Sequence, residues 1–467
     1  MNKDILSSGP LVNKPIGKLL FQYALPSIIA MSASSIYNIA DSIFIGHGVG
    51  AMAIAGLAIS FPLMNISAAF GALLGIGASA LTSVRLGERN QKQAMLILGN
   101  MIKLDVIIGL LVTIIGLLFL KPILIFFGAS ENTLPYAYEY MSIILLGNVI
   151  THSFMGLNDM LRSSGHPKKA MSAMLLAVVV NCILDALFIF VFKWGIIGAA
   201  IATVCAQAIA LGFELNHFFN KSNYLHFDSN YFKFDKNIIK EIIAIGMSPF
   251  CMNVCSCMII ILINTGLMRY GGDIYIGAYG IINRIGFLIQ MSVAGFNQGM
   301  QPIAGFNLGA KKYERVTKVL KYTIFCGTVV TTLGFILGVF FPKHIALMFT
   351  HDKELIDITA KGMRIVVSMF PLIGFQMVTT SFFQAVRQAK KAVFLSTTRQ
   401  MLILIPLLVF LPKFMGTDGV WISMPIADFL ASLLAAILLY KLFKNFGEKN
   451  KSQESVNFNT NKEFNVS

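Results

Sequence analysis

Long apolar runs separated by short polar connections dominate this sequence of 467 residues. Twelve runs are each long enough to cross a bilayer as a helix, which takes about 20 apolar residues. The predicted spans are 18–46, 51–84, 93–120, 133–161, 167–192, 195–219, 238–269, 273–306, 315–341, 356–387, 391–412 and 418–443. The pattern therefore predicts an all-α integral membrane protein with twelve transmembrane helices.

The composition excludes most soluble classes of protein. Hydrophobic residues make up 56% of the chain and charged residues only 13%, whereas soluble domains carry about 25% charged residues. So few charges could not cover the surface of a cytosolic enzyme, and the apolar content is too high for a disordered chain. The six cysteines are too few for a disulfide scaffold of this length.

The net charge of +15 suggests a nucleic-acid partner at first sight, but the positions of the basic residues give another cause. The even-numbered connections each carry three to five Lys or Arg, whereas an odd-numbered connection carries at most two. Cytoplasmic loops of membrane proteins are enriched in Lys and Arg. We therefore expect an inner-membrane protein with both termini in the cytoplasm, and no nucleic-acid partner.

The two halves of the chain resemble each other. Pro26 matches Pro249 and Gly87 matches Gly309, with an offset of about 222 residues. Six helices in each half give both halves the same orientation, which is a parallel repeat. The predicted organisation is an N-terminal segment (1–17), an N-lobe (18–219), a cytoplasmic linker (220–237), a C-lobe (238–445) and a polar cytoplasmic tail (446–467).

Two carboxylates, Asp41 and Asp185, fall inside spans 1 and 5, at about 8–12 Å below the outer boundary by the rise of 1.5 Å per residue. Thr203 lies at a similar depth in span 6, and Asn181 lies one turn from Asp185 on the same face. A charge at the bilayer centre costs about 2.5–3.5 kcal/mol on insertion scales. These four polar residues form either a hydrogen-bond network between helices or a binding site for a proton or a hard cation. We favour the binding site.

Other polar residues inside the spans have simpler explanations. Tyr37 and Asn38 lie within a turn of Asp41 and extend its network. Asp159 and Glu214 lie near the cytoplasmic ends of spans 4 and 6, where we expect them to reach the interface. Pro26 removes a backbone hydrogen bond in span 1, and the resulting kink is either static or a hinge.

The sequence resembles members of the multidrug and toxic compound extrusion family, in its MepA-like branch. The resemblance covers about residues 10–445, and it is carried by the stretches YNIADSIFIG (37–46), RSSGHPKKA (162–170), NCILD (181–185), QPIAGFNLGA (301–310) and GVWISMPIAD (419–428). It implies two six-helix lobes around a central cavity, and efflux of drugs driven by inward movement of H⁺ or Na⁺.

The resemblance also implies roles for individual residues. The cation-coupling site of the family's N-lobe maps onto Asp41, Asn181, Asp185 and Thr203, with the backbone carbonyl of Ala199 completing it for H⁺ or Na⁺. Tyr37 and Asn38 correspond to its hydrogen-bond network and Pro26 to the hinge of helix 1. The NorM-like branch has acidic ligands in helices 7 and 10, which we do not expect here. Arg399 and Asp428 are expected to form a structural pair in the C-lobe instead.

The resulting functional hypothesis is a multidrug efflux antiporter for amphipathic, often cationic drugs and dyes. It has no catalytic residues and no cofactor beyond the coupling ion, its partners are membrane lipids, and a monomer is expected. The alternative within transport is a flippase for a lipid-linked saccharide, since the wider superfamily contains such proteins. A membrane-embedded enzyme is disfavoured because His152, the lone intramembrane histidine, has no evident nucleophile beside it.

Overall fold

A computed structural model describes residues 14–464 and their side chains, except the side chains at 36–40, 51, 273 and 445–464. Within that range the chain forms twelve long helical segments, α1 to α12. They are α1 Ile16–Gly48, α2 Ala51–Gly87, α3 Gln91–Leu118, α4 Leu134–Leu146 and Asn148–Ser163, α5 Pro167–Asp185 and Ala186–Val191, α6 Gly195–Phe219, α7 Lys236–Gly271, α8 Asp273–Gly309, α9 Tyr313–Phe340, α10 Lys353–Val366 and Phe370–Ala385, α11 from Ala389 to Gly416, and α12 from Gly416 to Phe464.

Several helices depart from straight α-geometry. The two parts of α4 meet at an angle of 56° across Gly147. No loop separates α11 from α12; instead Gly416 breaks the helix with φ 58° and ψ −133°, a conformation that favours glycine. The end of α5 and the middle of α11 are π-helical, at Ala186–Val191 and Thr398–Leu404. The predicted twelve-helix, all-α membrane fold is confirmed, although the breaks were not predicted.

Four clusters of buried apolar side chains in the described part of the chain show how the two lobes meet. The largest cluster combines N-lobe residues such as Leu74 with C-lobe residues such as Ile242, and it reaches both Ile16 and Leu442. Each of the other three lies within one lobe, one in the C-lobe and two in the N-lobe. The lobes therefore share a core at one end of the bundle, which we call the closed end, and have separate cores at the other, which we call the open end. Both described chain ends lie at the closed end.

Glycines allow the lobes to approach each other closely at the closed end. A Cβ atom added at any of four glycines of α2, α7 and α8 would overlap a backbone atom of the opposite lobe. The distances from such a Cβ are 1.7 Å from Gly246 to the Leu73 oxygen, 1.9 Å from Gly87 to the Phe306 oxygen, 2.0 Å from Gly309 to the Val84 oxygen and 2.6 Å from Gly299 to the Ala24 nitrogen. The pairs α1–α8 and α7–α2 are equivalent under the repeat, so the two lobes meet symmetrically.

Ion pairs and the linker add polar contacts at the closed end. Arg85 of α2 pairs with Glu88 at 2.9 Å, and Glu241 of α7 pairs with Arg387, which follows α10. Arg85 also lies 3.7 Å from Glu241, so the chain of charges crosses from one lobe to the other. The linker packs against α3 through Asn100, whose Nδ2 donates to the Lys233 carbonyl at 2.9 Å.

Candidate cation site in the N-lobe

The predicted polar set lies in the open half of the N-lobe, where α1, α5 and α6 meet. Asp41 is 5% exposed and Asp185 is fully buried. Ala199 and Ile45, within one turn of Thr203 and Asp41, belong to the apolar core of this half. The carboxylates are therefore surrounded by apolar packing, as their depth in the sequence indicated.

Asn181 links the two neighbouring helices. In the amide orientation that satisfies both of its ends, Nδ2 donates to Asp185 Oδ2 at 2.9 Å and Oδ1 accepts from the Thr203 backbone nitrogen at 3.1 Å. In the opposite orientation Nδ2 donates to Thr203 Oγ1 at 3.3 Å. In both orientations the structure brings Asn181 and Thr203 together, and the first also places Asp185 in the same network.

The two carboxylates lack balancing charge among the described residues. Asp185 is close enough to Asp41 for the two to repel each other. None of the seven ion pairs found in the described part of the chain involves either residue. One oxygen of each, Oδ1, is buried without a hydrogen-bond partner among the described atoms. Two buried negative charges without a counterion are costly, so the arrangement suits a proton or a cation.

The groups assigned to this position from the sequence offer oxygen. They are the carboxylates of Asp41 and Asp185, the amide of Asn181, the hydroxyl of Thr203 and the backbone carbonyl of Ala199, four residues before Thr203. Oxygen ligands fit a hard cation such as Na⁺, while the Cys182 thiol is the one sulfur group among the described residues that interacts with both carboxylates. The side chains of Tyr37 and Asn38 lie outside the described residues.

The local backbone fixes α1 against α5 beside this site. The π-helix begins directly after Asp185 and carries Ile189 against the last turn of α1. A Cβ added at Gly48 would lie only 2.2 Å from Ile189 Cγ2. π-Helical turns occur frequently at functional sites, and here the turn holds the end of α1, which bears Asp41, close to the helix that bears Asp185.

Pro26 lies within the continuous helix α1, close to the interface between the lobes. Its neighbours Ala24 and Ile28 contact Gly299 and Gly295 of α8 in the C-lobe. Asp41 is 15 residues further along, about 22 Å by helix geometry. The first half of α1 is therefore held by the C-lobe and its second half by the N-lobe. Pro26, which lacks a backbone N–H, therefore lies in the half of α1 that contacts the C-lobe.

The C-lobe has a different arrangement of charges. Arg399 Nε and Nη2 lie 2.8 and 2.7 Å from Asp428 Oδ1, across α11 and α12. The expectation that helices 7 and 10 lack acidic residues was wrong for their ends. Glu354 lies in the first turn of α10, and Glu241 and Asp357 lie in the second turns of α7 and α10, paired with Arg387 and with Lys343. In the register that matches Pro26 with Pro249, Asn264 lies opposite Asp41 and has no charge.

The structure corrects the expectation for Glu214 and shows ion pairs at the closed end that were not predicted. Glu214 does not reach the interface, because it is fully buried and its Oε1 accepts from Asn158 Nδ2 at 2.7 Å. The pairing of Arg85 and Arg387 with Glu241 at the closed end was not predicted from the sequence. Only their clustering near helix ends was visible in the sequence, since the pairing joins segments far apart in the chain.

Comparison with known proteins identifies the family. The MatE family model matches residues 26–187 and 247–410. This chain belongs to the MatE family. The two matched segments are shifted by about 222 residues, which agrees with the internal repeat, and the resemblance seen in the sequence is confirmed. MatE proteins are transporters, so this chain is a multidrug-efflux-type membrane transporter by family.

Relatives and solved structures extend over nearly the whole chain. The multidrug export protein MepA of Staphylococcus aureus (strain MSSA476) is 27% identical over 428 residues, 92% of this chain and 94% of its own. A MATE multidrug transporter, DinF-BH, solved in complex with a dye, is 36% identical with a TM-score of 0.84, covering 91% and 95% of the two chains. A MATE family transporter in an outward-facing conformation is 23% identical, with a TM-score of 0.88 and coverages of 94% and 98%; it supports the fold alone.

Proposed function

We propose that this MatE protein is an antiporter that exports amphipathic, often cationic compounds in exchange for H⁺ or Na⁺. The observation that carries the proposal is that Asp41 and Asp185 are both buried, are close enough to repel each other and have no basic partner among the described residues. A cation-coupled exporter needs a group whose charge is offset when the ion binds. The substrate class is inferred from relatives, one named as a multidrug exporter and one solved as a complex with a dye.

Ion binding would act through simple electrostatics. A proton or Na⁺ placed between Asp41 and Asp185 removes their repulsion and allows α1 to pack more closely against α5 and α6. Asn181, Thr203 and the Ala199 carbonyl supply the remaining oxygens. The closer packing would narrow the N-lobe side of the cleft and weaken drug binding there. The ion and the drug would then oppose each other.

The orientation in the membrane follows from the basic residues. We propose that the closed end, with the clustered Lys and Arg and both described chain ends, faces the cytoplasm of an inner membrane. The open end would then face outward. The protein would act as a monomer with no cofactor other than the coupling ion.

Dye transport in proteoliposomes tests the proposal. Wild-type protein should move a cationic dye against its gradient when either a pH gradient or a Na⁺ gradient is imposed separately. Asp41→Asn and Asp185→Asn should each reduce gradient-driven dye transport by at least about 10-fold, which corresponds to 1.4 kcal/mol. Glu131→Gln is the matched control, because Glu131 is an exposed carboxylate in the turn before α4.

The outcomes separate clearly. Normal export in either Asp variant, at equal abundance in the membrane, would remove the pair from the mechanism. Dye movement that is independent of both gradients would contradict antiport. Failure with dyes together with transport of a lipid-linked saccharide would favour the flippase alternative.

A further inference from the structure

A second group of buried charges lies in the N-lobe, nearer the closed end than Asp41 and Asp185. It consists of Asp105 of α3, Glu214 of α6, and three residues of the second part of α4. We call this group the closed-end acid cluster: Asp105, Asn158, Asp159, Arg162 and Glu214. Glu214 and Thr203 are both on α6 and are 11 residues apart, about 16 Å along the helix. The cluster is therefore distinct from the site proposed for the coupling ion.

Arg162 is the one basic residue of the closed-end acid cluster. Arg162 forms an ion pair with Asp159, and its Nη1 donates to Asn158 Oδ1 at 2.5 Å. Asn158 Nδ2 in turn donates to Glu214 Oε1 at 2.7 Å and to the Ala170 carbonyl at 3.0 Å. The guanidinium is thus matched by Asp159, and Glu214 receives one hydrogen bond from a neutral amide.

Asp105 has no partner of any kind among the described atoms. It is fully buried, and neither of its carboxylate oxygens has a hydrogen-bond partner. It points at α4, because a Cβ added at Gly156 would lie 2.8 Å from Asp105 Oδ2. Asp159 is on the same side, and its charge acts on Asp105 unfavourably. Similarly, Oε2 of Glu214 is buried without a partner.

The closed-end acid cluster has more negative than positive groups, so part of its negative charge must be neutralised. Three carboxylates face one guanidinium, and the groups that act electrostatically on Asp105 and Glu214 are Asp159 and Arg162. Two further negative charges in a buried site cannot be retained without a counterion. In the described part of the chain, no group of three or more His, Cys, Asp or Glu is arranged to hold a metal ion. Protonation of Asp105 and Glu214 removes both charges without requiring any further ligand.

We propose that Asp105 and Glu214 form a second proton-binding site, whose protons exchange with water at the closed end of the N-lobe. This proposal does not depend on the role of Asp41 and Asp185. The protonated Asp105 has an O–H that can donate towards Asp159, and protonated Glu214 keeps Oε1 as acceptor for Asn158. Each carboxyl then loses its charge without losing the hydrogen bonds that the structure contains.

Two histidines, His217 and His166, lie beyond Glu214 towards the closed end of the N-lobe. His217 lies three residues after Glu214, on the same face of α6. Its Nδ1 accepts from Lys169 Nζ at 2.9 Å, and its Nε2 is buried without a partner among the described atoms. The ring of His166, at the start of α5, lies 4.6 Å from that of His217. Burial and the charge of Lys169 lower the pKa of His166, which favours its neutral form.

Infrared spectroscopy of the full chain in lipid nanodiscs tests the proposal directly. The wild-type protein at pH 7 should show the C=O stretch of protonated carboxyl groups. Part of its intensity should disappear in Asp105→Asn and in Glu214→Gln, but none in the exposed control Glu131→Gln. On transfer to D₂O, the parts assigned to Asp105 and Glu214 should shift as deuterium replaces the proton. If the spectra of both variants coincide with wild type, the carboxyls are ionised and the proposal is wrong.

A second measurement uses only wild-type protein, in case the variants fold poorly. Dicyclohexylcarbodiimide reacts with buried protonated carboxyl groups: the O–H adds across a C=N bond and the acyl group migrates to nitrogen, so no group leaves. Mass spectrometry should find the adduct on Asp105 or Glu214 at pH 7 and not on the ion-paired Asp159. Absence of the adduct from both, with labelling elsewhere in the chain, would overturn the proposal. A band that persists unshifted in D₂O would overturn the exchange with water.

Discussion

Single acidic residues in this protein differ mainly in whether a cation is beside them. Asp185 lies beside Asp41 and an amide, whereas Asp428 is held by two nitrogens of Arg399. The shared depth of Asp41 and Asp185 could be predicted from helix rise alone. The burial of Glu214 could not, because counting from the end of a span does not reveal which neighbours cover a side chain.

Asp428 should contribute to stability rather than to coupling. Asp428→Asn leaves Arg399 without its charge partner in a buried position, and breaking such a pair costs about 3–5 kcal/mol. We expect a clearly lower melting temperature in detergent, with an unchanged ratio of ions to dye transported. The double variant Asp428→Leu with Arg399→Met removes both charges and should recover most of the stability. A changed ion ratio at normal abundance would show instead that the C-lobe takes part in coupling.

At the scale of helices, the sequence predicted the spans well but not their breaks. Apolar length and the repeat are properties of the chain itself, and they placed most spans within a few residues. The bend in α4 arises from packing, since a Cβ at Gly147 would lie 2.5 Å from Val204 of α6. The π-helices after Asp185 and around Arg399 likewise depend on tertiary contacts that no local pattern reveals.

Close helix packing, more than ion pairs, should hold the closed end together. An ion pair at the surface, such as Glu241–Arg387, contributes about 0–1 kcal/mol to the free energy of unfolding. An extra methyl group forced into a well-packed contact typically lowers that free energy by about 1–3 kcal/mol. In Gly87→Ala, the new Cβ would lie 1.9 Å from the Phe306 carbonyl, a backbone atom that cannot rotate away. We expect the lobes to part at this end, seen as a longer distance between spin labels at positions 92 and 311.

A glycine with free space provides the control for that experiment. Gly280→Ala adds the same methyl group to α8, where no atom lies within 4 Å. It should leave the distance distribution unchanged. An unchanged distribution in Gly87→Ala as well would show that the glycine contact does not determine the closed state.

Pro26 should act as the hinge of α1, because its lack of an N–H removes one backbone hydrogen bond from the helix. Pro26→Ala restores that bond without touching Asp41. We expect the variant to bind both drug and ion, but with weaker antagonism between them, measured by dye titration at two pH values. Undiminished antagonism would keep the coupling and exclude Pro26 as its hinge.

The whole molecule consists of two lobes that share a core at one end and have separate cores at the other. Helix α1 belongs to both lobes, since Ala24 and Ile28 contact the C-lobe and Gly48 contacts the π-turn of α5. A change of charge at Asp41 can therefore alter the packing of one half of α1 while the other half stays fixed. This is how ion binding in one lobe would change the cleft between both.

The most direct test of this account measures whether ion and drug oppose each other. Linkage requires that each weakens the binding of the other by the same factor. A fluorescent drug titrated into wild-type protein in detergent, at low and high pH and with and without Na⁺, should bind at least about 10-fold more weakly when the ion is bound, or 1.4 kcal/mol of coupling. The difference should vanish in Asp41→Asn. A drug affinity that is the same under all four conditions in the wild type would contradict the account.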